Sequence, residues 1–143
     1  MPAEALFVAA NVLALVGWAL LIALPQRAWA TRLACPVAIP GVLCIAYAAL
    51  IVANLESLRA GFGSLESVAR LFENRWVLLA GWIHYLAFDL FVGAWQTRDA
   101  ERLGIRRLWV VPCLILTLML GPLGLALYFL VRGIARRAMI VDL

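Results

Sequence analysis

Four long apolar stretches constrain this chain more than any other feature. They run from about Ala5 to Leu24, Val37 to Leu55, Trp76 to Trp95 and Leu108 to Val131. At about 1.5 Å per helical residue, each is long enough to cross the roughly 30 Å of hydrocarbon in a bilayer. A lipid core offers the backbone no hydrogen bonds, so such stretches must be helical. Pro25-Gln26-Arg27 stops the first, Pro36 and Pro40 lie near the start of the second, and an indole bounds each end of the third. The fourth carries Gly121-Pro122, which reads as a kink inside one continuous span.

Composition confirms the class. Of 143 residues, 66% are hydrophobic and 14% charged, and the mean hydropathy is +1.01. A soluble domain is about 45–50% apolar, and a chain this short leaves too much surface in water to hide the excess. Disorder is excluded because it needs low hydrophobicity and high net charge. The expected fold is all-α, an integral membrane four-helix bundle forming a single transmembrane domain over residues 1–143. A retained first helix is preferred to a signal peptide, although Ala28-Trp29-Ala30 resembles a cleavage site, because no Arg or Lys precedes the apolar run.

All twelve basic residues are arginines, in short clusters between the apolar runs. Such clusters suit membrane flanks facing anionic lipid and not a nucleic-acid surface. With four spans, six arginines fall on each side, so the positive-inside rule gives no orientation. The clusters beside the first and third loops lean it toward termini outside. Cys35, Cys44 and Cys113 form no C-x-x-C pair, and neither a disulfide framework nor a metal site is expected.

Between the second and third spans, Ser64 is placed to cap a short amphipathic helix with Leu65, Val68, Leu71 and Phe72 on one face. Glu66 and Arg70 stand at i, i+4 on the other. That pattern suits a helix on the membrane surface or a linker helix packed on the bundle.

The third span holds the only histidine, His84, and Asp89, the one acid deep in an apolar run. A carboxyl group at that depth costs about 2.5–3.5 kcal/mol to insert, so it should face the bundle and find a partner. Asn11 and Asn54 are the candidate partners. Trp82, Tyr85, Asp89 and Gln96 fall along one stripe, whereas His84 lies about 140° from Asp89 around the helix. The two therefore face different neighbours or flank one cavity from its edges. Pro40-Gly41 and Tyr47, and the Gly121-Pro122 break with Tyr128 beyond it, are further pocket candidates. No P-loop, nucleophile elbow or dinucleotide glycine pattern occurs.

The runs Phe62-Gly63-Ser64-Leu65-Glu66, Trp82-Ile83-His84-Tyr85-Leu86-Ala87-Phe88-Asp89-Leu90-Phe91-Val92-Gly93 and Gly121-Pro122-Leu123-Gly124-Leu125 resemble the abscisic-acid-deficient-four-like family, over roughly residues 5–135. Its plant members are plastid membrane proteins needed to form neoxanthin from violaxanthin. Without a transit-peptide extension, the chain looks like a bacterial member, in an inner membrane. The resemblance implies a carotenoid or related isoprenoid ligand and a non-redox isomerase needing no cofactor. Opening an epoxide requires an acid, and forming an allene requires a base. Carried over, Asp89 would be the acid and His84 the base or orienting group. Trp82, Tyr85 and Phe88 would line the polyene, with Asn11, Tyr47 and Tyr128 as further binding candidates. A non-catalytic lipid binder or assembly protein and a small proton-linked transporter are the alternatives. Membrane lipids, a second copy of the chain or another membrane protein are the expected partners.

Overall fold

The computed structural model describes residues 2–25, 27–59 and 61–136. Among these the fold is helical throughout, with α1 at Ala3–Ala23, a π-helical stretch at Ala30–Ala38 that runs on into α2 at Ile39–Ala53, and a single turn, α3, at Leu55–Leu58. Then come α4 at Leu65–Glu73, α5 at Arg75–Leu103, α6 at Arg107–Leu120 and α7 at Pro122–Arg136. Three helices are long and apolar enough to cross a membrane: α1, the continuous Ala30–Ala53 helix and α5. They fit an integral membrane protein.

α5 is the central post, packed against every other helix except α3. Asn74 caps its start by accepting from Trp76 N at 2.9 Å, and Gly104, at φ +65°, closes its end in the left-handed conformation. That closure turns Ile105 N back onto the Ala100 carbonyl at 2.9 Å. Close packing on the post depends on its glycines. A Cβ on Gly93 would stand 2.6 Å from the Trp18 ring of α1, so the indole seats only because Gly93 lacks one.

Two expected boundaries move. The second apolar helix begins at Ala30 and not near Val37, since the π-helical turns accommodate Pro36 and its missing donor. The third runs to Leu103 and not Trp95, because Gln96, Thr97, Asp99 and Ala100 are all buried against neighbouring helices. Trp95 is accordingly no belt residue at a span end. Its ring packs edge-on against Tyr128 at 5.4 Å.

The larger correction concerns the fourth stretch, which is not one kinked span. α6 runs antiparallel to α5, with Thr117 bonded to Gln96 at 3.0 Å and the Leu118 carbonyl to Tyr85 at 3.0 Å. At Gly121, with φ +26° and ψ −88°, the chain reverses. α7 then returns along α6, bringing Tyr128 and Arg132 to Asp99 near the far end of α5. Gly124 lies so close over the Thr117 backbone that no side chain fits between them. Helices of 14 and 15 residues reach only about 21–23 Å each. This is a hairpin that enters and leaves by the same end. Gly121 supplies a positive φ that other residues rarely adopt, and Pro122 starts a helix where its missing N–H is harmless.

The reversal redistributes the arginines. The start of α1 and the start of α5 share one end of the molecule, where Glu4 pairs with Arg75. The end of α5, the α1–α2 connection at Pro25 and the start of α6 meet at the other. The end of α7 joins that second group. Among the described residues, Arg27, Arg32, Arg98, Arg102, Arg106, Arg107, Arg132 and Arg136 belong to this end, against Arg59, Arg70 and Arg75 at the first.

Between the second and third helices, Ser64 accepts from Ser67 N at 3.1 Å at the start of α4. Leu71 of α4 is buried and Phe72 lies over Gly81 of α5, while Leu65 stays exposed. Asn74 ties the connection down by donating to Ser57 Oγ at 2.9 Å and Asn54 Oδ1 at 3.3 Å.

Candidate functional site

Asp89 sits at the midpoint of α5, 14 residues from Arg75 and 14 from Leu103. It therefore lies about 21 Å along the axis from either end of that helix. Its Oδ2 is buried with no hydrogen-bond partner. The carboxyl lies directly against the hairpin turn, so that a Cβ on Gly121 would come within 2.8 Å of Oδ1 and 3.0 Å of Oδ2. An unsatisfied carboxyl oxygen at this depth costs about 1–3 kcal/mol or more. A group kept in this condition is a candidate for chemistry rather than for stability.

One turn earlier on the same face stands Tyr85. Its hydroxyl donates to the Leu118 carbonyl at 3.0 Å and is near enough to Asp89 to interact with it electrostatically. Tyr85 also marks the inner end of a groove of about 540 Å³ between α1, α4 and α5. Phe7, Phe72, Leu78 and Trp82 line this groove, and the Glu4–Arg75 pair closes its outer rim. Trp82 bridges the floor, 5.3 Å from the Tyr85 ring and 5.7 Å from Phe7. The groove is long, apolar and open to the side. It leads from a charged rim to a hydroxyl backed by a carboxyl.

Asn11 and Asn54 do not partner Asp89. Asn11 accepts from Trp82 Nε1 at 3.2 Å while donating to the Phe7 carbonyl at 2.7 Å, which fixes the indole over the groove. Asn54 is engaged with Leu50 and Asn74 at the end of α2. These three polar groups therefore form no continuous path through the bundle.

His84 lies on another flank. It is exposed, stacked on Phe88 at 4.4 Å and 5.8 Å from the Tyr47 ring. Phe88 also borders a smaller groove of about 370 Å³ beside Pro36, Pro40, Gly41 and Phe91. Of the candidate residues, the structure thus brings together Asn11, Trp82, Tyr85 and Asp89. It groups His84, Phe88 and Tyr47 separately.

Tyr128 belongs to neither group. It is fully buried and donates to Asp99 Oδ2 at 2.8 Å, where Arg132 Nε also donates at 2.8 Å. Arg102 holds the other oxygen at 3.1 Å. This buried acid was missed because it lies beyond the apolar run, in a stretch rich in charges. The available signal was the i, i+4 pair Tyr128 and Arg132, which puts a hydroxyl and a guanidinium on one face of a helix. Beside it, Gln96 and Thr117 exchange hydrogen bonds in a fully buried pair. Both assemblies fasten the hairpin to α5 and thereby hold Gly121 over Asp89. Among the described residues, no three His, Cys, Asp or Glu side chains gather where they could hold a metal ion.

No curated protein and no solved structure matches the chain. A family model described as ABA DEFICIENT 4-like matches residues 5–128, most of the length, and takes in Asp89, the hairpin turn and the groove residues from Phe7 to Tyr85. The protein belongs to the ABA DEFICIENT 4-like family.

Proposed function

We propose that the protein is a membrane isomerase that opens an epoxide on a carotenoid or related isoprenoid, of the kind required to form neoxanthin. The observation that carries this reading is the Asp89 carboxyl at mid-depth, whose Oδ2 has no hydrogen-bond partner, joined through Tyr85 to an apolar, laterally open groove. Family membership supports the substrate class.

The polyene lies along Phe7, Trp82 and Leu78 with its epoxide end at Tyr85. The Tyr85 hydroxyl gives its proton to the epoxide oxygen and is resupplied by Asp89, as the C–O bond breaks and its electron pair becomes a hydroxyl. The cation left beside the polyene loses a C–H proton, which returns along the same pair, and those electrons form the cumulated double bond. Nothing is oxidised or reduced, and the catalyst is regenerated. General acid–base steps of this type contribute about 10²–10⁴-fold each. His84, on the other flank, takes no proton step in this scheme.

The test is to express the protein in a host that makes epoxy-carotenoids and analyse extracted pigments by chromatography and mass spectrometry. The wild type should yield an isomer of unchanged mass, and folded Asp89→Asn and Tyr85→Phe should not. Unchanged turnover in Asp89→Asn would sink the scheme. The apolar lining of the groove also suits a pigment holder without chemistry, and that reading predicts unaltered pigment retained equally by wild type and Asp89→Asn.

A further inference from the structure

The hairpin sorts the charges of the molecule to its two ends, and the ends differ in more than number. Where α1 and α5 begin, each of the three arginines has a glutamate: Arg59 with Glu56, Arg70 with Glu66 and Arg75 with Glu4. Glu73, in the last turn of α4, leaves this end without excess positive charge.

At the opposite end the balance is reversed. The acids there among the described residues are Asp99 and Glu101, and Asp99 is already held by Arg102 and Arg132. Arg27, Arg32, Arg106 and Arg107 are exposed and make no ion pair among the described residues. They come from three separate places in the sequence: the α1–α2 connection, the π-helical turns and the start of α6. Arg107 borders a recess of about 210 Å³ with Pro25, Thr97, Glu101 and Ile105, and Arg27 and Arg106 follow closely in sequence on residues that line it. Trp29 and Trp109, each two residues from one of these arginines in the sequence, are 52% and 59% exposed. Indoles in that position belong at the level of lipid headgroups.

Uncompensated guanidiniums with exposed tryptophans close by in sequence match a specific chemistry. Arginine forks hold phosphate oxygens in pairs, and each basic residue at such a surface adds attraction to an anionic leaflet. We propose that this end is a docking surface for the headgroups of anionic phospholipids, with Arg27, Arg106 and Arg107 as the main phosphate contacts. The surface fixes the arginine-rich end in the cytoplasmic leaflet, with the start of α1 and the groove mouth on the other side. Glu101 at the rim keeps the recess itself from being the strongest anion site. The contacts therefore fall on the exposed arginines beside it, Arg27, Arg106 and Arg107 foremost.

The experiment is mass spectrometry of the intact protein released from mild detergent containing equal amounts of phosphatidylglycerol and phosphatidylcholine. The wild type should retain phosphatidylglycerol at least about tenfold over phosphatidylcholine, since one arginine contributes about fivefold. Arg27→Gln/Arg106→Gln/Arg107→Gln should lose the preference. These side chains are exposed, so the variant keeps its fold, which helical circular dichroism verifies. Arg59→Gln/Arg70→Gln at the other end should keep the preference. Equal retention of both lipids by the wild type, an unaffected triple variant, or equal loss in the two variants would each overturn the proposal.

Discussion

Gly121→Ala tests the contact on which the site is built. The added methyl meets two penalties that can be separated. One is conformational: at φ +26° a residue with a side chain is strained by about 1–2 kcal/mol. The other is steric, because the methyl would stand 2.8 Å from Asp89 Oδ1 and 3.0 Å from Oδ2. Overpacking of this kind costs about 1–3 kcal/mol. Together they predict a loss of about 2–5 kcal/mol. Removing the carboxyl relieves only the second. Asp89→Ala alone should therefore leave stability nearly unchanged or raise it, since it deletes an unsatisfied buried oxygen. In Asp89→Ala/Gly121→Ala the steric part should vanish, leaving the pair about 1–3 kcal/mol more stable than the sum of the single effects. Unfolding in mixed micelles, followed through the six tryptophans, measures all four corners of the cycle. Additivity within about 0.5 kcal/mol would refute the contact, and with it the placement of the turn over the acid.

Three other perturbations probe the frame around that contact. Arg132→Met leaves the buried Asp99 with the neutral Tyr128 hydroxyl and the exposed Arg102 and should cost about 3–5 kcal/mol, whereas Asp99→Asn/Arg132→Met should recover much of it in the same unfolding assay. Gly93→Ala places a methyl 2.6 Å from Trp18 and should destabilise by about 1–3 kcal/mol, and Trp18→Phe in the same chain should return part of that loss. Single cysteines at Glu101 and Ile134 should react with a membrane-impermeant maleimide from one side, and a cysteine at Glu66 from the other. A fourth helix crossing the membrane would put Ile134 with Glu66 instead.

The parts of this fold that follow from hydrocarbon length were legible in the sequence. Apolar runs located the three long helices, and Ser64 stands where a helix start needs an acceptor. The stripe of Trp82, Tyr85 and Asp89 also followed from helical period alone. What escaped was decided by partners distant in sequence. Nothing local marks Gly121-Pro122 as a reversal rather than a kink, because both need a positive φ or a missing donor. The difference is made by Tyr128 and Arg132 finding Asp99 about 30 residues away. The extent of α5 past Trp95 is set in the same way, by Thr117 covering Gln96. Asn11 was expected beside Asp89 on polarity, yet the indole of Trp82 takes its oxygen. A residue inventory ranks such pairings equally, and packing chooses among them.

The shortness of α6 and α7 has a consequence for how the chain is built. Neither helix reaches across the bilayer, so neither is held in lipid by its own length. Each depends on groups carried by α5: Gln96 for α6, and Asp99 for α7. The hairpin therefore cannot enter ahead of α5 and cannot persist without it. Assembly must proceed in order, with α5 installed first and the hairpin folding onto it as a unit. Until that happens, Asp99 lacks Arg132 and Tyr128, and the mid-membrane acid at Asp89 has no turn across it. The last step of biogenesis is thus also the step that completes the site, and a chain truncated after Gly121 should be cleared as unfinished rather than accumulate as a partly active protein.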